Sequence, residues 1–356
     1  MQASRREFTR WAGAGAIAAL AWRSDPGIAA GSANGAAPTI DQRLAPIAPE
    51  LRPFARRMLE AGSQPITAEA LRKMPANAGP PPQELMPSVP VAEREVPPVG
   101  SLPGVKVYVV NADRNRRRPA ILHTHGGGFI LGSARGELRN LQETALELDC
   151  VIVTVEYQLS PKVRYTRSTE ETYAGLKWLH DKADSLGADR SRLVVMGESA
   201  GGGHAAILAI KARDRGEVPL VFQALVYPML DDRTGSVGTV PPFVATVGWS
   251  PPENRLGWRS FLGVEPGGSS APVTAVPARL QDVSGLPPAW IGVGGVDLFA
   301  AEDITYARRL TLAEVPTELL VIPRAFHGFD RVAASTGLAR EFTQSKLSAL
   351  RRAFAT

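Results

Sequence analysis

The chain predicts an α/β fold with a mostly parallel central sheet flanked by helices, on three observations. From Val105 onward, short β-branched apolar runs alternate with longer segments whose apolar residues recur at helical spacing, the pattern of strands joined by crossover helices. Leu193-Val194-Val195-Met196 runs into Gly197-Glu198-Ser199-Ala200-Gly201-Gly202-Gly203, a strand that enters a helix through a turn of small residues. Finally, 356 residues with 44% hydrophobic and 21% charged content suffice for one large core with an accessory part.

The N-terminus reads as a targeting segment. Ser4-Arg5-Arg6-Glu7-Phe8 precedes an Ala- and Gly-rich run from Trp11 to Trp22, which resembles a twin-arginine export signal, with small residues near Ala29-Ala30 and Ala36-Ala37 for cleavage. About twelve weakly apolar residues are too few to span a bilayer, so residues 1–37 predict export to the periplasm or medium with no stable membrane anchor after signal removal. Residues 38–98 are heavy in proline and poor in strand signal. Leu51–Gly62 and Thr67–Met74 each predict a short helix, packed over the mouth of the succeeding α/β domain, and Ala78–Pro90 predicts a surface connection.

Strands are expected at Val105–Val110, Pro119–Thr124, Val151–Val155, Arg192–Met196, Val221–Tyr227, Ala289–Val293 and Thr317–Ile322. Helices are expected at Gly136–Leu148, Thr169–Leu186, after Ser199, at Ala301–Ala313 and near Arg340–Phe354. Residues 231–272 break the alternation. They hold Pro241-Pro242, Pro251-Pro252 and the rings of Phe243, Trp249, Trp258 and Phe261, too long for an ordinary strand–helix loop; they read as an insertion covering a site, and the rings equally as a satellite core.

Charge and cysteine content exclude several classes. The formal charge is +5, and four arginines against two acids in the first thirty residues account for part of it, so nucleic-acid binding has no support. Cys150 is the single cysteine, which leaves no internal disulfide and no thiol metal site. The histidines His123, His125, His180, His204 and His327 show no helical metal-ligand pairing, so no metal is expected.

The pattern G-x-S-x-G around Ser199 places a hydroxyl on a strained elbow, and a hydroxyl needs a base to become a nucleophile. His327, in Phe326-His327-Gly328-Phe329 beyond the last strand, is the candidate base. Asp297, reached through Gly294-Gly295 after a strand, is the candidate acid that orients it, ahead of Asp231, Asp232, Glu302 and Asp303. His125-Gly126-Gly127-Gly128-Phe129 follows a strand and frees backbone N–H groups to hold an oxyanion. Phe129, Ile130, Leu230, Phe243, Trp249 and Trp258 are the candidate walls of an apolar substrate pocket, because a reacting carbonyl benefits from excluded water.

With these residues in place, the chain resembles the hormone-sensitive-lipase-like (bacterial family IV) esterases of the α/β-hydrolase superfamily, which carry H-G-G-G and G-[DE]-S-A-G. The likeness runs from about Val105 to Arg340, with residues 99–356 as the hydrolase domain and the N-terminal helices and residues 231–272 resembling the family's cap. It implies hydrolysis of short- to medium-chain carboxylic esters without a cofactor, through Ser199, His327 and Asp297. It further implies Gly127, Gly128 and Ala200 as oxyanion donors, with His125 and Gly126 supporting the loop. Two places depart from the family: Tyr157-Gln158-Leu159-Ser160-Pro161-Lys162 stands where Y-R-L-A-P-E is usual, and Ala300-Ala301 replaces a charged pair. His204, one turn into the nucleophile helix, is read as a packed histidine. A small-molecule ester is the expected partner, a homodimer is left open, and the rival readings are an amidase or carbamate hydrolase on the same triad and a non-catalytic receptor.

Overall fold

The computed structural model describes residues 37–62, 66–74 and 83–355. Residues 1–36 of the expected export segment and residues 78–82 of the expected surface connection lie outside the described residues. Three short helices come first, α1 (Ile40–Leu44), α2 (Arg52–Glu60) and α3 (Ala68–Lys73). Thr39 caps α1 and Thr67 caps α3, each accepting a backbone N–H with its side chain.

Strands and helices then alternate in the order β1 (Val91–Val96), β2 (Val105–Val110), β3 (Arg118–Thr124), α4 (Ala134–Leu148), β4 (Val151–Val155), α5 (Tyr165–Asp181), α6 (Ala183–Leu186), β5 (Ala188–Glu198) and α7 (Ala200–Arg215). The order continues through β6 (Phe222–Val226), α8 (Pro251–Leu262), β7 (Ala289–Gly294), α9 (Ala300–Leu312), β8 (Thr317–Ile322), α10 (Phe329–Val332) and α11 (Gly337–Phe354). The strands form one eight-stranded sheet in the order β1-β2-β4-β3-β5-β6-β7-β8. Pairing is parallel from β4 to β8, and β2 runs antiparallel to both of its neighbours.

The period-2 alternation of the strands divides the core between the two faces of the sheet. Ile152, Val194, Met196, Ala224 and Val226 face one layer with residues of α1, α4 and α11. Val151, Val153, Leu193, Val195 and Leu225 face the other, with α5, α7 and α9. Residues 39–356 form a single compact unit. Cys150 is buried just before β4, and burial pushes its thiol up to about 12, so it is held as an inert thiol.

Three features differ from the expected elements. Strand β1 is an addition to them: Val91-Ala92-Glu93-Arg94-Glu95-Val96 carries charges at its three central positions and reads as loop, yet it pairs in full register with β2 at the sheet edge, where those side chains stay in water. The sheet therefore begins before residue 99. The helix expected over Thr169–Leu186 starts at Tyr165 and breaks at Lys182, leaving α5 and the short α6. Within residues 231–272, α8 starts at a capping box between Ser250 and Glu253 and ends at Gly263 in the left-handed region.

The N-terminal segment is tied to loops near the carboxyl ends of the strands. Ala48 N donates to Arg324 O (2.9 Å), Arg43 Nε to Thr246 O (2.9 Å), and Gly337 N to Glu50 Oε2 (2.8 Å). Among the described residues no helix is long and apolar enough to cross a membrane.

Candidate active site

Ser199 sits between β5 and α7 with φ 56° and ψ −122°, a conformation a non-glycine side chain adopts at a cost of about 1–3 kcal/mol. The flanking glycines make the turn possible. A β-carbon on Gly197 would lie 2.3 Å from the Gly201 carbonyl oxygen, and one on Gly201 would lie 2.0 Å from that of Thr124. The Thr124 hydroxyl donates to Gly201 O at 2.7 Å and fixes β3 against the start of α7.

His327 stands in the loop after β8, beside α10. Its Nε2 lies 3.0 Å from Ser199 Oγ and its Nδ1 2.7 Å from Asp297 Oδ2. Asp297 follows β7 and has no side-chain exposure, and its other oxygen, Oδ1, accepts from Phe299 N at 3.0 Å. The rings of Tyr227 and Phe299 approach the imidazole edge-on, with centroids at 4.7 and 5.2 Å, and hold its plane. A hydroxyl in this setting can pass its proton to the imidazole while the carboxylate stabilises the cation that forms.

Three of the four rival carboxylates are engaged elsewhere. Asp231 pairs with Arg233, Asp232 with Arg279 and Gly267 N, and Glu302 accepts from Leu230 N and Asp231 N. Asp303 is fully buried with both carboxylate oxygens unpartnered, and burial, with Glu302 and Asp297 nearby, pushes its carboxyl well above the usual range. A carboxyl whose folded value is raised contributes its full stability below the unfolded value near 4 and loses it as pH climbs towards the folded one. Asp303→Asn is therefore expected to stabilise the fold by about 1–3 kcal/mol at pH 8 and by progressively less towards pH 4. Thermal melts across that range check it, and a pH-independent difference would contradict it.

The glycine loop lies against the serine. Gly127 and Gly128 take φ 122° and 60°, and the loop closes on itself through Ile130 N and Leu131 N to Gly127 O. Among the described residues, the N–H groups of Gly127, Gly128 and Ala200 make no hydrogen bond and remain free to donate. His125 lies just beyond the end of β3. Its ring stacks on Tyr157 at 4.2 Å, Nδ1 donates to Gly126 O, and Tyr157 Oη donates to His125 O at 2.7 Å. Burial pushes the His125 imidazole down to about 4, so it braces the loop as a neutral ring. His204 is buried among Phe129, Tyr157 and Phe261, and burial pushes it down to about 3.

Gly126, Gly127, Gly128, Ser199, Tyr227, Trp249 and His327 line one cleft of about 840 Å³, which extends between α4 and α11. Of the six side chains expected to wall it, Trp249 does. Phe129 and Trp258 instead pack with Phe261 and Ala200 in an internal cluster, Leu230 belongs to the core under α7 and α9, Ile130 is buried, and Phe243 is 53% exposed. Their apolar character marks them as leaving water, and helix packing rather than the cleft claims most of it.

Sequence reasoning missed a buried pair beneath the elbow. Glu198 Oε2 lies 2.8 Å from His123 Nε2, whose Nδ1 meets Thr154 Oγ1 at 2.8 Å. Burial opposes the Glu198 charge, but attraction to His123, with Lys346 and Arg331 further off, outweighs it and holds the carboxyl below its ordinary value. His123 alternating with His125 was the one available signal. Tyr227, whose hydroxyl donates to Asp330 Oδ1 at 3.0 Å, carried none.

This fold and arrangement are those of an α/β-hydrolase: residues 121–331 match the family model described as alpha/beta hydrolase fold, and the chain belongs to that family. Within it the chain is a carboxylesterase-like hydrolase of the hormone-sensitive-lipase-like branch. It is 35% identical over 279 residues to Carboxylesterase NlhH of Mycobacterium tuberculosis, covering 76% of this chain and 85% of that protein. It is 31% identical over 243 residues to Esterase LipI of the same species, covering 65% and 72%. Among solved structures, a bacterial heroin esterase superposes with a TM-score of 0.73 at 33% identity, covering 87% of this chain and 99% of the other. Esterase LipW of Mycobacterium marinum superposes with the same TM-score at 29% identity, covering 88% and 98%.

Proposed function

We propose that this protein hydrolyses short- to medium-chain carboxylic esters through an acyl-enzyme on Ser199. Ser199 Oγ attacks the ester carbonyl as its proton moves to His327 Nε2, and Asp297 holds the imidazole in the tautomer that leaves Nε2 free to accept. The N–H groups of Gly127, Gly128 and Ala200 receive the developing oxyanion, each worth about 3–4 kcal/mol in the barrier. Collapse breaks the bond to the alcohol oxygen, which takes the proton from Nε2. Water then gives a proton to Nε2 and its oxygen to the acyl carbon; the bond from that carbon to Oγ breaks, Oγ takes the proton back from Nε2, and the acid leaves.

The observation that carries the reading is the continuous relay from Ser199 Oγ through His327 to Asp297, at 3.0 and 2.7 Å. A fluorophosphonate probe is expected to label the protein stoichiometrically at Ser199, read by intact mass and peptide mapping, with turnover of p-nitrophenyl acetate lost in parallel. Absence of labelling in folded protein overturns the reading. Amide cleavage uses the same atoms and differs in the protonation of an amine, so matched ester and amide substrates separate the two. The segment Ser4–Trp22 supports the further proposal that the enzyme acts outside the cytoplasm, which a signal-reporter fusion in a twin-arginine-deficient host tests.

A further inference from the structure

Tyr227 is held in a backbone conformation that its side chain disfavours. It follows β6 at φ 34°, a region that bulky aromatic residues enter rarely and keep only where their surroundings over-determine them. Its N–H donates to Gly292 O on β7 at 2.6 Å, and the residue is buried. The ring stands 4.7 Å from the His327 imidazole, centroid to centroid, and lies nearly parallel to Phe342 of α11 at 6.1 Å. Its hydroxyl donates to Asp330 Oδ1 at 3.0 Å.

Asp330 belongs to the same short segment as His327. Gly328, at φ 74°, opens α10 between them, Phe329 is buried against Phe342 at 5.1 Å, and Asp330 follows, itself buried. The Tyr227 side chain therefore meets this segment twice, with its ring at His327 and with its hydroxyl a turn later. Burial pushes the Asp330 carboxyl above its ordinary range, so the contact relies on an acceptor oxygen more than on a charge. His327 has one polar contact on the side away from the serine, from Nδ1 to Asp297 at 2.7 Å. Pivoting about that hydrogen bond would carry Nε2 away from Ser199 Oγ, now 3.0 Å off, without breaking it. The Tyr227 ring stands against the imidazole, and the Asp330 contact fixes the far end of that ring. The geometry points to Tyr227, anchored through its hydroxyl to Asp330, as a positioning residue that keeps His327 Nε2 within reach of Ser199 Oγ.

What this positioning serves rests on the esterase reading above, and the experiment keeps the two apart. Tyr227→Phe keeps the ring and removes the hydroxyl, whereas Asp330→Ala removes the acceptor. Each is expected to lower kcat for p-nitrophenyl acetate by about 3–10-fold with KM little changed, the rate equivalent of one hydrogen bond. Fluorophosphonate labelling is expected to slow in parallel, because it needs the same base. The double variant is expected to lose no more than either single variant, since both remove one contact. Asp330→Asn keeps an acceptor oxygen for Tyr227 Oη and is expected to recover most of the rate lost in Asp330→Ala. Losses smaller than about threefold in both folded single variants, or losses that multiply in the double variant, overturn the inference. If Asp330→Ala does not fold, Tyr227→Phe, which removes a single oxygen atom, is read in the same way. A second readout needs no turnover: the downfield proton resonance of the His327 Nδ1–H bonded to Asp297, assigned by its absence in Asp297→Asn. It is expected to broaden in Tyr227→Phe and Asp330→Ala and to sharpen again in Asp330→Asn, and a resonance unchanged in all three overturns the inference. Wild-type protein that takes neither ester nor fluorophosphonate refutes the esterase reading instead, and the resonance then decides the positioning.

Discussion

Ser199→Ala is expected to lower kcat for p-nitrophenyl acetate by about 10⁴–10⁶-fold while leaving the fold intact, as removal of a triad nucleophile does elsewhere. The residue is 7% exposed and, among the described residues, its side chain makes a single hydrogen bond, to His327 Nε2, so its loss disturbs little packing. The backbone strain at φ 56° is carried by alanine as by serine, and the strand–helix junction is retained through the Gly197–Gly201 contact. What disappears is the atom proposed to form the acyl bond. Stopped-assay kinetics together with circular dichroism and a thermal melt check both halves, and a variant retaining more than about a hundredth of the activity contradicts the proposed nucleophile.

Asp297→Asn is expected to cost about 10⁴-fold in kcat, and the cause can be read from the hydrogen bonds. Phe299 N donates to Asp297 Oδ1 at 3.0 Å, so in the variant the amide oxygen has to remain there and the NH₂ group has to face His327 Nδ1. A donor at that position makes Nδ1 the acceptor and moves the ring proton to Nε2. The imidazole then points an N–H at Ser199 Oγ and is unable to take its proton. Because asparagine matches aspartate in size and the site is fully buried, the melting temperature is expected to move little, and KM less than kcat. A loss smaller than about tenfold would show that the carboxylate does not govern the tautomer.

The elbow was legible because its requirement is local. Gly197 and Gly201 approach backbone within a few residues of Ser199, or within the strand beside it, and no side chain larger than hydrogen fits. The order Ser199, Asp297, His327 at the ends of β5, β7 and β8 was legible for a related reason: a parallel sheet brings the carboxyl ends of its strands together, and these three side chains meet there within 3.0 Å per contact. Strand β1 was illegible because Glu93-Arg94-Glu95 has no apolar period, and it exists through its pairing with β2.

Composition and periodicity by themselves determined the class of fold, the strand–turn–helix that presents Ser199, and which carboxylates and histidines stood near strand ends. Tertiary structure alone decided which apolar rings meet the cleft. Trp249 and Trp258 are nine residues apart in one insertion and chemically alike, yet one rests on Gly128 and the other is enclosed with Phe129 and Phe261. Burial is a property of a side chain's surroundings, and the hydrophobic effect removes a ring from water without specifying which neighbours replace it.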